Sequence, residues 1–317
     1  MKMEYIFIKP EDEYYASEEK FRNFLCTNKR ITFDTTDKSN KSTLSFDNYE
    51  LDYALECTKV EKSKEIIFRL IVEVSGTDDE QTQKLEVFDS LIKEINEKCG
   101  RPFSINTIWN DVSSYYGKKL YPDIVNLENT LRKIIYLFML KTIGSGWLDT
   151  NTPEKFQTSI ESIIEKNNKK RSDIDAEWLI YADFIDLGKF FTAPYPLKSD
   201  LTSLFKILEQ YGDMDITDDE KDNSKTTPKA KKHKKAKTLT KELIQKLSDE
   251  YEPKNNWDRY FSDKLSVNSP NKFSNDWSSL YDIRNKVAHG KPIGKAIFDK
   301  ATNLINTYTK YLMNALA

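Results

Sequence analysis

Arg284, Asn285 and His289 lie close together in "RNKVAHGKP", and between them they carry the functional groups that phosphate chemistry needs. A guanidinium forks onto two phosphate oxygens, an imidazole moves protons near neutral pH, and an amide donates and accepts beside them. The chain has two histidines; the other, His233, falls in a lysine tract and reads as solvated. Upstream, Trp277, Leu280, Tyr281, Ile283 and Val287 suit a helix packed on a bundle, Gly290 fits a left-handed stop, and Pro292 prevents continuation. The pattern predicts a helix over 274–289 with His289 in its final turn, where the carbonyl end of the helix dipole favours imidazolium. Arg284 then sits about 140° round the helix and roughly 7.5 Å lower along its axis. Long side chains from both positions could converge on a phosphate beside the last turns.

The R-N-x-x-x-H pattern formed by Arg284, Asn285 and His289, followed by Gly290, resembles the signature of the HEPN superfamily. These are small α-helical bundles, often metal-independent endoribonucleases of toxin, antiphage and RNA-processing systems. The resemblance covers about 121–317, strongest at that motif, with fainter likeness in "LENTLRKII" and "WLIYADFIDLGKFF". It implies cleavage of RNA by attack of the ribose 2′-hydroxyl on the adjacent phosphate. By position, His289 is the general acid or base, Arg284 stabilises the phosphorane, and Asn285 orients the pair. One histidine does not easily serve both sides of an in-line displacement, so a homodimer with a composite site is expected. The resemblance further implies a growth-arresting effector of toxin or antiphage type, with an antitoxin or a phage-derived trigger as partner. The alternative is a non-catalytic HEPN-like module for RNA or nucleotide binding or dimerisation, with His289 capping its own helix end.

Other residues are weighed against plainer roles. Glu128 and Arg132, four apart, read first as a helix-face ion pair, with Glu128 kept as an accessory candidate. Asp183 and Asp186 read as polar edges of a buried helix rather than metal ligands. No metal-ligand cluster stands out, and neither a cofactor nor a metal is expected. In "KAKKHKKAK", Lys231, Lys232, Lys234 and Lys235 supply either sequence-independent attraction to RNA phosphates or simply a solvated tract. The aromatic residues, 17 Tyr and 17 Phe among them, fall mostly at core spacing rather than among lysines, so no base-stacking platform is read from them. The absence of GxxxxGK[ST], GxGxxG and GxSxG patterns argues against an ATPase or a serine hydrolase.

The surrounding sequence must position this motif. The 317 residues, 38% hydrophobic and 32% charged with a net charge of -2, suit a soluble protein of about two domains and give no overall basicity. The longest apolar run, "IIYLFML" at 134–140, is far short of the roughly 20 residues of a membrane span. The N-terminus turns acidic after a few apolar residues, unlike a signal peptide, so a cytoplasmic location is expected. Cys26, Cys57 and Cys99 are far apart and odd in number, as free thiols would be.

Runs rich in β-branched and aromatic residues predict strands at 5–9, 30–36, 43–56 and 65–76, followed by a helix in which Leu85, Phe88, Leu91, Ile92 and Ile95 form the buried stripe. From about 121 the pattern is helical, beginning with a helix opened by Pro122 and closed by Gly144 and Gly146. Further helices are expected at 153–166, 176–191, 199–211, from 239, and at the C-terminus. The fold class expected is α+β: residues 1–115 form a mainly antiparallel sheet domain of sensor or regulatory type, and 116–317 an all-α HEPN-like bundle. A charged, flexible insertion is expected at about 213–240.

Overall fold

A computed structural model describes residues 1–11, 14–34, 42–167, 175–198, 202, 204–206, 241–265 and 269–314. The chain is α+β and divides into two compact units, 1–124 with 282–303, and 125–281 with 304–317.

The first unit is built on a six-stranded antiparallel sheet: β1 (Lys2–Pro10), β2 (Ile31–Asp34), β3 (Ser42–Phe46), β4 (Tyr49–Val60), β5 (Glu65–Glu73) and β6 (Ser104–Asn110), in the order β2-β3-β4-β5-β1-β6. In β1 and β5, buried residues alternate with more exposed ones, so Tyr5, Phe7, Phe68 and Leu70 enter one apolar layer. Phe21 of α1 (Glu18–Leu25) stacks on Phe68 at 4.4 Å and meets Phe7 edge-on at 4.8 Å. The long helix α2 (Asp78–Lys98) lays Leu85, Phe88, Leu91, Ile92 and Ile95 into the core, where Phe88 meets Phe46 at 5.3 Å. The buried Asn96 then donates to the Phe103 carbonyl at 2.9 Å and accepts from its N–H at 3.2 Å, which sets the entry into β6.

Three features of this unit differ from expectation. The predicted strand at 43–56 is a hairpin whose turn begins at Asp47, in the left-handed region at φ 48°. Neither α1 nor β6 is among the expected elements: α1, although Phe21, Phe24 and Leu25 share its buried face, is only eight residues long, and β6 is an edge strand with little buried surface.

Helix α3 spans Asp111–Thr142, so Pro122 lies inside it rather than in its first turn. The helix starts earlier because the Asn110 side-chain oxygen accepts from the Ser113 N–H at 2.9 Å, a cap placed directly after β6. Its end agrees with expectation, with Gly144 at φ +98°. The boundaries of the two units fall within α3 and within the last two helices, α6 (Pro270–Ala288) and α7 (Lys295–Asn314).

The second unit includes α4 (Glu154–Lys166) and α5 (Phe184–Thr192), with further helical residues at 147–150 and 241–251. The predicted helix at 176–191 breaks at Asp183. Arg132 donates to the Leu179 carbonyl at 3.0 Å and to the Ala182 carbonyl at 2.9 Å, fixing a short 3₁₀ segment before α5 begins. Asp186 is buried and satisfied by Ser159 at 2.5 Å and Lys189 at 2.9 Å. Trp277 packs parallel to Phe184 at 4.3 Å and donates its indole N–H to the Phe184 carbonyl at 2.7 Å. The predicted segment 213–240 and most of 199–211 lie outside the described residues. Cys26, Cys57 and Cys99 are free, and among the described residues no helix is long and apolar enough to cross a membrane.

Burial pushes the hydroxyls of Tyr5, Tyr116, Tyr195 and Tyr308 above the ordinary phenol range, with Glu86 adding to the effect at Tyr116 and Asp276 at Tyr308. The folded chain thus holds these protons more tightly than the unfolded one. Their contribution to stability is complete below the ordinary phenol value of about 10 and is lost as pH rises above it. In an alkaline titration, phenolate absorbance from these residues is expected to appear together with the loss of helical circular dichroism.

Candidate functional site

Helix α6 ends at Ala288, one residue short of expectation, and His289 is its C-cap. The His289 N–H still closes a helical bond to the Asn285 carbonyl at 3.0 Å. Beyond it, the Gly290 N–H bonds to the Val287 carbonyl at 3.3 Å and the Lys291 N–H to the Lys286 carbonyl at 2.9 Å, with Gly290 at φ +61°. This is a Schellman ending, in which the backbone alone satisfies the last carbonyls. The imidazole takes no part in it: His289 is exposed, and its side chain forms no hydrogen bond among the described residues. No atom lies within 4 Å of a Cβ added at Gly290, so Gly290→Ala meets only the left-handed strain. It is expected to lower stability by about 1 kcal/mol, read as a shift in the urea midpoint.

Arg284 is half-buried, and its guanidinium donates to the Asn285 side-chain oxygen at 3.3 Å. Alone among the described arginines, it bonds neither a carboxylate nor a backbone carbonyl. Arg22, Arg30, Arg69, Arg101 and Arg132 form ion pairs, and Arg259 is held by carbonyls. Among the described residues its charge therefore has no ion-pair partner, which is the state an anion-binding arginine needs.

The loop after His289 is tied down from two sides. The Ile293 N–H donates to Ser113 Oγ at 2.8 Å, and that hydroxyl donates to the Lys291 carbonyl at 3.2 Å. Glu86 accepts from the Lys295 N–H at 2.8 Å through one oxygen and from the Tyr116 hydroxyl at 3.1 Å through the other. Residues of α2 and of the first turns of α3 thus fix the loop after α6 and the start of α7.

Between these segments and β6 lies an open groove of about 750 Å³. Lys118, Lys286, Lys291, Trp109 and Tyr121 are among the residues lining it, and no carboxylate of the described residues is. Val287 and Ala288 also line it; Arg284 lies one helical turn before them on the same face.

Arg284, Asn285 and His289 therefore occupy one helix end in the first unit. Glu128 belongs to the second unit, where it pairs with Arg132, as its spacing suggested. Lys231, Lys232, His233, Lys234 and Lys235 lie outside the described residues. The groove itself was not legible in the sequence. Lys286 and Lys291 flank His289 in the chain, but Trp109, Lys118 and Tyr121 come from a distant segment. Among the described residues no group of three or more His, Cys, Asp or Glu is arranged to hold a metal ion. The chain matches no protein-family model, no curated protein and no solved structure.

Proposed function

We propose that the chain is an endoribonuclease of HEPN type that cleaves RNA by attack of a ribose 2′-hydroxyl on the adjacent phosphate. The observation that carries this is Arg284: an arginine with no carboxylate or carbonyl partner among the described residues, beside Asn285, on the helix that ends at an exposed histidine. Arg284 neutralises charge developing on the phosphate oxygens, where a fixed guanidinium is most effective. His289 takes the 2′-hydroxyl proton or returns one to the leaving 5′-oxygen. Asn285 holds the guanidinium through its side-chain oxygen.

An in-line displacement needs a base on one side and an acid on the other, and each chain supplies one such histidine. We therefore propose a homodimer in which two motifs share one cleft. Growth arrest in a toxin or antiphage setting is the biological role that fits an RNA-cleaving site of this kind, with an antitoxin or a phage-derived trigger as its control. The motif segment belongs to the same compact unit as the sheet, and Glu86 of α2 holds the Lys295 N–H six residues beyond His289. We accordingly give residues 1–110 a part in building the site, beyond any part in sensing a trigger.

A non-catalytic RNA-binding role is the second reading, and the groove favours it, since neither Arg284 nor His289 lines the cavity. Matched oligoribonucleotides with and without a 2′-deoxy sugar at the cleaved position separate the two. Cleavage of the first and not the second is expected; binding of both without cleavage supports the second reading.

A further inference from the structure

We propose that the groove between β6, the first turns of α3 and the α6–α7 loop binds a single-stranded segment of nucleic acid, with phosphates on the lysines and bases against Trp109 and Tyr121. That this strand is RNA rests on the function proposed above; the binding surface itself does not.

The first support is charge. The chain carries 51 acidic against 49 basic residues, yet among the described residues the groove is lined by Lys118, Lys286 and Lys291 and by no carboxylate. Elsewhere in the same unit some lysines are paired, as in Lys93–Asp89 at 2.6 Å and Lys119–Asp79 at 3.4 Å. None of the three groove ammonium groups forms an ion pair among the described residues. Three cations lining one groove, none of them ion-paired among the described residues, suit a polyanion, with an affinity that falls as salt rises.

The second support is exposed aromatic surface. Trp109 is 51% exposed and Tyr121 59% exposed, although most large aromatic residues of the chain are buried. The pairing of β1 with β6 slips by one residue at Ile108, a β-bulge that turns the strand and brings both Ile108 and Trp109 to the surface. The indole is held in place, its N–H donating to Asp111 at 2.7 Å and the Lys2 ammonium lying 4.8 Å from its ring centre. A fixed, half-open indole beside cations is the arrangement that stacks unpaired bases without selecting among them. A duplex keeps its base faces inside its own stack and cannot use these rings.

The test is fluorescence anisotropy with a labelled single-stranded 12-nucleotide RNA, titrated with full-length protein carrying His289→Ala so that cleavage does not intervene. Trp109→Ala and Tyr121→Ala are each expected to weaken binding roughly 5- to 100-fold. Trp109→Phe, which keeps an aromatic face and controls for folding, is expected to recover most of the loss. Replacing Lys118, Lys286 and Lys291 together by alanine is expected to reduce the slope of log affinity against log salt by about 2. A duplex of the same length is expected to bind more weakly and to be insensitive to the aromatic changes. Unchanged affinity and salt slope in all these variants, or equal displacement of the RNA by polyglutamate of matched charge, overturns the groove assignment. Groove-dependent binding without cleavage by the wild type instead overturns the nuclease function and leaves the groove standing.

Discussion

His289→Ala is expected to slow RNA cleavage by about 10²- to 10⁴-fold, the usual worth of a positioned general acid or base. Arg284→Ala is expected to cost about 10²- to 10³-fold, as loss of a fixed group that stabilises transition-state charge does. Neither change should move the melting temperature appreciably. The His289 side chain is exposed and without a hydrogen bond among the described residues, and the Schellman bonds around it are made by backbone. Arg284 contributes one bond, to the neighbouring Asn285. Arg284→Lys should recover little, since an ammonium keeps the charge but lacks the fork that grips two phosphate oxygens. Single-turnover cleavage rates for the three variants, beside thermal melts, separate loss of chemistry from loss of fold.

Gly188→Ala is expected to be the most damaging small change in the second unit. A Cβ at Gly188 would lie 2.3 Å from Trp277 Cδ1 and 2.9 Å from both Cγ and Nε1. Trp277 has no room to withdraw, being 1% exposed, stacked on Phe184 and bonded to the Phe184 carbonyl. The methyl group must displace either the indole or helix α5, at a cost of about 3 kcal/mol, the upper end of ordinary overpacking. Trp277→Leu should also destabilise the protein, because it leaves a cavity and abandons the hydrogen bond. The two changes together should cost less than their sum, since leucine relieves the clash. Urea unfolding of the four proteins in this cycle measures that coupling.

Why these features differ in legibility is physical. The stripe from Leu85 to Ile95 was readable because a long amphipathic helix repeats its signal, and the helix stop at Gly290 was readable because a left-handed position and a following proline leave a local mark. Strand β6 left no such mark: as an edge strand with little buried surface, it has no alternation to display. The start of α3 was misplaced because Pro122 looks like an opening residue, whereas the true opening depends on the side chain of Asn110. The break before α5 depends on Arg132, which acts through carbonyls 47 and 50 residues away. Arg284, Asn285 and His289 stood out because they are neighbours in the chain. Trp109, Lys118 and Tyr121 did not, since only the packed fold brings them beside Lys286 and Lys291.

The most direct measurement of the central claim is the chemistry of the ends left on a labelled RNA after incubation with purified wild-type protein and with His289→Ala. Attack by a 2′-hydroxyl must leave a 2′,3′-cyclic phosphate on one fragment and a 5′-hydroxyl on the other. These ends are predicted for the wild type, with the histidine variant leaving the RNA intact over the same interval. Intact RNA with both proteins, or 3′-hydroxyl and 5′-phosphate ends formed equally by both, would contradict the assignment of Arg284 and His289 to RNA cleavage.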